Sequence, residues 1–154
     1  MPHIPFSPSQ QKCMIAIMDR VVPSNEFPSA SVAGVLNYIE SLLHMEEQLR
    51  TSVQSGLDAI DQLTTATFGS SFAEINFELQ DNILKGCLDG RLPERDGAEL
   101  FTTALREFAE LCVRLVSEGY YADPGNGGNR GSVSWDMIGF AVTDADWSAV
   151  GGPK

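Results

Sequence analysis

The sequence predicts an all-α protein of one domain, residues 1–154, with about five or six helices. Two observations lead to this class. Five separate segments carry apolar residues at the i, i+3, i+4, i+7 spacing of an amphipathic helix. No segment of useful length alternates apolar and polar residues as a half-buried strand does. Because 43% of the 154 residues are apolar, the chain can bury a sizeable core.

The N-terminus predicts an arm followed by a helix. Residues 1–8 contain three prolines, which favour an extended arm that is a poor core element and suited to lie on a partner. Ser9 is a candidate cap for a helix that runs to about Val22, and Pro23 stops that helix.

The longest apolar pattern runs over residues 32–60, after a possible cap at Ser29 or Ser31, and Gly69 ends the helical pattern that continues from it. No proline interrupts it. One long helix and two helices with a bend near His44 or Gly56 both fit the pattern. Typical helix lengths favour the bend.

Two more helices are predicted in the second half of the chain. Asn76 can cap a helix to about Leu88, which Gly90 closes. The next helix has the clearest period in the sequence, and Gly119 stands where a C-terminal glycine is expected. Its apolar positions are Phe101, Ala104, Leu105, Phe108, Leu111, Cys112 and Leu115.

A glycine-rich loop (residues 123–131) follows this helix. Asp123 and Pro124 are typical of the start of a turn, and Asn129 tolerates the left-handed region. So many special positions indicate a defined shape rather than a flexible linker. A last short helix is predicted over residues 134–142, and residues 143–154 form a tail that is mobile or laid on a partner.

Several segments resemble one known protein family. At the C-terminal side they are Gly119-Tyr120-Tyr121, Asp123-Pro124, Gly127-Gly128-Asn129-Arg130, and Trp135 with Ile138-Gly139-Phe140. Earlier in the chain they are Phe6-Ser7-Pro8, Asp19-Arg20-Val21-Val22-Pro23, Ala33-Gly34-Val35 and Tyr38-Ile39. Together they resemble the gluconate 2-dehydrogenase subunit 3 family. The resemblance implies a small, cofactor-free accessory subunit whose partner is an FAD-containing sugar or polyol oxidoreductase of the glucose-methanol-choline type. Such a subunit would stabilise its partner, aid its maturation or escort it during export.

The resemblance also directs attention to one surface, formed by the glycine-rich loop and its flanks. The residues that we expect to bind the partner are Tyr120, Tyr121, Asp123, Gly127, Gly128, Asn129, Arg130 and Trp135. Arginine and the aromatic residues are enriched among interface hot spots. An internal role is the alternative, with Trp135 in the core and Arg130 paired to Asp123. Of the two tyrosines, one can face inward and the other outward.

Charge and targeting signals limit the possible partners. The net charge of -11 argues against nucleic acid and against an anionic membrane surface, since both attract clustered lysine and arginine. The sequence as given shows no basic and apolar leader and no twin arginine, although many members of the resembled family carry a twin-arginine signal. We therefore expect a cytoplasmic location, with export alongside a signal-bearing partner as the alternative.

The sequence contains little that indicates a catalytic or metal-binding site. The two histidines, His3 and His44, have no second ligand at a suitable spacing. Cys13, Cys87 and Cys112 form no C-x-x-C pair and are expected to be buried thiols, with pairing across subunits as the alternative. A small helical enzyme that uses His44 or a cysteine, and a free-standing helical adaptor, are the rival functions.

The glycine-rich loop invites comparison with nucleotide and calcium loops. It lacks the Gly-Lys-Ser/Thr end of a P-loop, and it follows a helix rather than the strand of a dinucleotide fingerprint. Gly125 and Gly127 stand where a calcium loop needs side-chain oxygens. A single anion beside Arg130, held by loop amides and the helix start near Ser134, remains an alternative.

Overall fold

The computed structural model describes residues 5–92, 98–122 and 124–132. These residues form five α-helices and two short 3₁₀ turns, and they contain no strand, which confirms the all-α class. The helices are α1 (Pro8–Val21), α2 (Val35–Met45), α3 (Glu47–Phe68), α4 (Phe77–Asp89) and α5 (Ala98–Tyr121). The predicted last helix, residues 134–142, and the predicted tail, residues 143–154, lie outside the described residues.

Helix α5 packs against each of the other four helices and has the most extensive contacts of any helix, which places it at the centre of the fold. The apolar stripes predicted from the sequence meet in one core. Its largest fully buried side chains include Met14, Ile17, Met18, Ile39, Leu43, Leu57, Ile60, Phe72, Leu105, Leu115 and Tyr120.

The first helix begins two residues earlier than the sequence pattern predicts. Ser7, not Ser9, is the cap: its hydroxyl accepts from the Gln10 N–H, and the Gln10 side chain accepts from the Ser7 N–H. Pro8 therefore occupies the first helical position, where a missing N–H costs nothing.

The expectation that the N-terminal arm is a poor core element is wrong for Phe6. This side chain is 4% exposed and belongs to the core, and the neighbouring Pro5 carbonyl accepts a hydrogen bond from the Gln54 side chain on α3. The end of the arm therefore packs on its own domain. Residues 1–4 are outside the described residues.

The long apolar pattern divides into two helices, as helix lengths suggest, and the break lies at Glu46, close to His44. Gly56 remains helical within α3. The predicted cap of α2 is not used, since Gly34 in the left-handed conformation precedes Val35. Ser31 is engaged elsewhere: its N–H and hydroxyl donate to the Asp19 carboxylate at 2.8 and 2.6 Å.

Three other helix ends follow the sequence. Gly69 and Gly90 close α3 and α4 with φ of 74° and 67°, angles that favour glycine. Asn76 caps α4 by accepting from the Leu79 N–H at 2.9 Å.

Candidate functional site

The last two residues of α5 are adjacent tyrosines, one with its ring in the core and the other with its ring at the surface. Tyr120 is fully buried and its hydroxyl donates to the Pro28 carbonyl at 2.9 Å, whereas Tyr121 is 50% exposed. The rings meet edge to face, with centroids 5.3 Å apart. Burial, and secondarily Tyr121, raise the pKa of Tyr120. The expectation that one tyrosine faces inward and the other outward is confirmed.

Gly119 does not end α5, contrary to the sequence prediction, because the helix continues to Tyr121. Its role is close packing against α2. A Cβ at this position would lie 2.8 Å from Cδ1 of Tyr38 and 2.9 Å from Cγ1 of Val35. The absence of a side chain, rather than left-handed freedom, is what this glycine supplies.

The glycine-rich loop is pressed onto the same turn of α5. A Cβ on Gly128 would lie 2.2 Å from the carbonyl oxygen of Gly119, and backbone there cannot move aside as a flexible side chain can. On the other side of the loop, a Cβ on Gly127 would be 3.5 Å from the Tyr38 backbone nitrogen. The loop therefore touches both α5 and α2.

The loop backbone uses the left-handed region at three of its described positions, Gly127, Asn129 and Gly131, with φ of 97°, 48° and 70°. Pro124 begins a 3₁₀ turn, and its carbonyl accepts from the Gly127 N–H at 3.2 Å. The sequence prediction of a turn at this point is confirmed for Pro124, while Asp123 lies outside the described residues.

Asn129 holds the loop from within. Its side chain is fully buried, and Nδ2 donates at 2.8 Å to the carbonyl of Ala122, just beyond the end of α5. Asparagine is suited to this position because it tolerates a left-handed backbone and also carries a donor.

Arg130 is anchored through its backbone and presents its side chain at the surface. Its N–H donates to the Ala33 carbonyl at 2.7 Å. The exposed side chain lies over Gly34, where a Cβ would come within 3.0 Å of Nε. Within the described ranges, no ion pair involves this guanidinium. The predicted alternative partner, Asp123, is outside those ranges.

Comparison with known proteins decides the family. The family model described as gluconate 2-dehydrogenase subunit 3 matches residues 8–141, which is most of the chain. This chain belongs to the gluconate 2-dehydrogenase subunit 3 family. No curated protein and no solved structure matches it.

In this subunit 3 chain, the predicted partner-binding residues divide into two groups. Tyr120, Gly128 and Asn129 are buried, and the last two hold the loop against the end of α5. Tyr121 and Arg130 are exposed, and Gly127 is partly exposed. Trp135, like Asp123, lies outside the described residues.

A shallow groove of about 420 Å³ adjoins the loop. Its lining consists of Tyr38, Ser41, Leu42 and Met45 on α2 with Gly125 and Gly127 from the loop. Motif reasoning did not select these α2 residues as site residues, although Ala33-Gly34-Val35 and Tyr38-Ile39 had contributed to the family resemblance. Their proximity to the loop arises from folding, since about 80 residues separate them from it.

Beside this groove, a small polar network joins α2 to α5. The Tyr38 hydroxyl donates to the Glu118 carboxylate at 3.3 Å, and Arg114 approaches the same carboxylate at 3.7 Å. Partial burial, and then the Glu118 charge, raise the pKa of Tyr38.

The candidate nucleophiles lie away from this surface. Cys13, Cys87 and Cys112 are free thiols inside the core. Burial raises the pKa of all three, to about 11 for Cys87, which disfavours the reactive thiolate. Their burial also removes them from any pairing across subunits.

His44 is exposed at the end of α2. Among the described residues no group of three His, Cys, Asp or Glu side chains could hold a metal ion. Likewise, no helix in those ranges is both long and apolar enough to cross a bilayer.

Proposed function

We propose that this chain is a non-catalytic accessory subunit that binds and stabilises an FAD-dependent oxidoreductase of the glucose-methanol-choline type. Hydride removal from a sugar, polyol or glycoside hydroxyl takes place on the flavin of the partner. Membership of a family named as the third subunit of a dehydrogenase supports the subunit role.

The observation that carries the proposal is the exposed Arg130 side chain on a constrained loop. The Arg130 N–H is bonded to Ala33, Asn129 is bonded to Ala122, and Gly128 is pressed on Gly119. A loop held this firmly loses little conformational entropy when a partner binds it. An arginine on such a loop offers a multi-donor head, which is the chemistry of an interface hot spot.

The test is co-expression of this chain with a flavin-dependent subunit of the glucose-methanol-choline type from the same organism, followed by size-exclusion chromatography. We expect one co-eluting complex that carries the flavin absorption. Withdrawing this chain should lower the flavin content or the thermal stability of the partner. Turnover by this chain alone, or the absence of any complex, would contradict the proposal.

Arg130→Ala tests the loop within that complex. If the guanidinium is a buried hot spot in the interface, binding weakens by about 2 kcal/mol or more, roughly a 30-fold rise in Kd. Arg106→Ala is the matched control, because Arg106 is an exposed arginine, 53% accessible, one-third of the way along α5. Circular dichroism should show both variants folded. Equal affinity of the two variants would show that Arg130 is not a hot spot.

A further inference from the structure

The groove beside the glycine-rich loop has the composition of a protein-binding surface. Leu42 and Met45 supply apolar area, and the Met45 side chain is 76% exposed, a high value for a large apolar residue. Methionine is unbranched and adapts to differently shaped apolar partners. The groove is open to solvent, unlike the enclosed cavities that usually bind small molecules.

The charges next to this groove are acidic. Glu46 and Glu47 follow Met45 directly and are exposed. Glu118 is also exposed, with one basic neighbour, Arg114, at 3.7 Å. The chain as a whole carries 21 acidic and 10 basic residues. A complementary surface would therefore place an apolar side chain in the groove and lysine or arginine at the edge beside Glu46.

The groove is also continuous with the surface already assigned to the partner. Gly125 and Gly127 belong to the glycine-rich loop and line the groove. Gly127 in turn is packed on the backbone between Asn37 and Tyr38. A partner that covers the outer side of the loop would extend over the groove without crossing a gap.

We propose that the groove formed by Tyr38, Leu42, Met45 and the loop glycines receives an apolar side chain of the flavoprotein partner, flanked there by basic residues. This inference rests on the proposed function, because the same flavin-dependent subunit is the occupant. It adds a second anchor to Arg130, and it assigns to α2 a share of the interface.

The experiment measures the affinity of the co-expressed flavin-dependent subunit, once purified, for variants of this chain. Met45→Gln removes the apolar tip with little change of size, and the exposed position should leave folding intact. Phe68→Gln is the matched control: Phe68 is 40% exposed at the opposite end of α3. The 22 residues of α3 place it roughly 30 Å away. We expect about a tenfold rise in Kd for Met45→Gln and no change for Phe68→Gln.

Two further variants probe the shape and the charge. Ser41→Trp, at an exposed position of the lining, should block the groove and weaken binding by more than Met45→Gln does. Glu47→Gln should weaken binding about threefold at low salt, and less at high salt, because rim charges are screened. Glu78→Gln is its control, since Glu78 is likewise an exposed glutamate in the first turn of a helix.

The outcomes separate this inference from the proposed function. If Met45→Gln and Ser41→Trp both bind as the wild type does while Arg130→Ala does not, the groove is unoccupied and the accessory role stands. If the wild-type chain forms no complex with the flavin-dependent subunit, both proposals fail. A loss of affinity that Phe68→Gln shares equally would mean a general effect of polar substitution, and it would overturn the groove assignment.

Discussion

Helix α5 makes two close contacts with glycines, one near its middle and one at its end, and they are of different kinds. In the middle, the Phe108 ring fills the space left by Gly56 on α3, where a Cβ would lie 2.0 Å from Cδ2 of the ring. At the end, Gly128 of the loop meets the carbonyl of Gly119, backbone against backbone. The first contact is a matter of side-chain volume, and the second is a matter of backbone geometry.

This difference separates what holds the domain together from what shapes its candidate surface. The middle contact contributes apolar burial, which stabilises the whole domain in proportion to area. The end contact is between backbone groups, and the loop is secured by hydrogen bonds from Asn129 to Ala122 and from Arg130 to Ala33. We expect substitutions at the first contact to lower global stability, and substitutions at the second to loosen the loop while the helices persist.

The largest effect is expected for Gly56→Ala. The added methyl group would overlap the Phe108 ring, which is 5% exposed, so the ring must shift from its packed position and the free energy of unfolding should fall by about 2–3 kcal/mol. Gly86→Ala is the control within α4: its Cβ would lie 3.4 Å from Leu92, an ordinary contact. That change should stabilise the domain by up to about 1 kcal/mol through helix propensity. Urea denaturation measures both, and equal effects would contradict the packing argument.

A smaller and more local effect is expected for Asn129→Ala. Alanine loses the hydrogen bond to Ala122 and must also adopt φ near 48°, a combined cost of about 2 kcal/mol. Asn129→Gly also loses the hydrogen bond to Ala122 but adopts the left-handed backbone without strain, so it should cost less, about 1 kcal/mol. Loosening of the loop should expose the Arg130 amide, which is bonded to Ala33, and hydrogen exchange of that amide measures it. The Leu115 amide in the core should be unaffected, and faster exchange there would show that the loop and the core are one cooperative unit.

The core side of the comparison also carries a pH dependence. Burial raises the pKa of Cys87 from 9.0 to about 11, so the unfolded chain loses this proton first as the pH rises. The contribution of the Cys87 thiol to the free energy of unfolding is fully present below pH 9. It declines between pH 9 and about 11, by about 1.4 kcal/mol per pH unit. Denaturation curves at several pH values measure the slope, and Cys87→Ala should reduce it. An unchanged slope in that variant would show that Cys87 is not the group responsible.

The smallest predicted effects concern two tyrosine hydroxyl groups near the end of α5. Tyr120→Phe removes the hydroxyl that donates to Pro28 and keeps the buried ring, so stability should fall by about 1 kcal/mol. Tyr38→Phe removes a longer, exposed bond of 3.3 Å to Glu118 and should cost less than about 0.5 kcal/mol. Thermal unfolding compares the two variants. If Tyr38→Phe proved the more costly, the hydroxyl on α2 would be the stronger tie to α5.

Prediction from the sequence succeeded where the signal is local. The caps at Asn76, Gly69 and Gly90 depend on a few neighbouring residues, and the structure uses them as predicted. Prediction from the sequence failed where a local signal competes with tertiary packing. Gly119 resembles a helix end, yet the approach of α2 and of the loop makes it an interior glycine.

The candidate site shows the same division. The unusual residues of the glycine-rich loop marked it in the sequence, and the pairing of an inward and an outward tyrosine followed from their adjacency. The position of Arg130 over Gly34 could not be predicted, because the two residues are nearly 100 positions apart in the sequence. The burial of Asn129 could not be predicted either, because it depends on the path of the loop.

By itself the sequence determined the helices, the family and the loop, because amphipathic period, capping residues and motif are all carried by short stretches of chain. Only the tertiary structure decided that Phe6 enters the core, that Gly119 lies inside α5 and that Met45 stands beside the loop. The physical reason is that burial and close approach belong to pairs of distant segments, and a pattern read along one segment does not contain its partner.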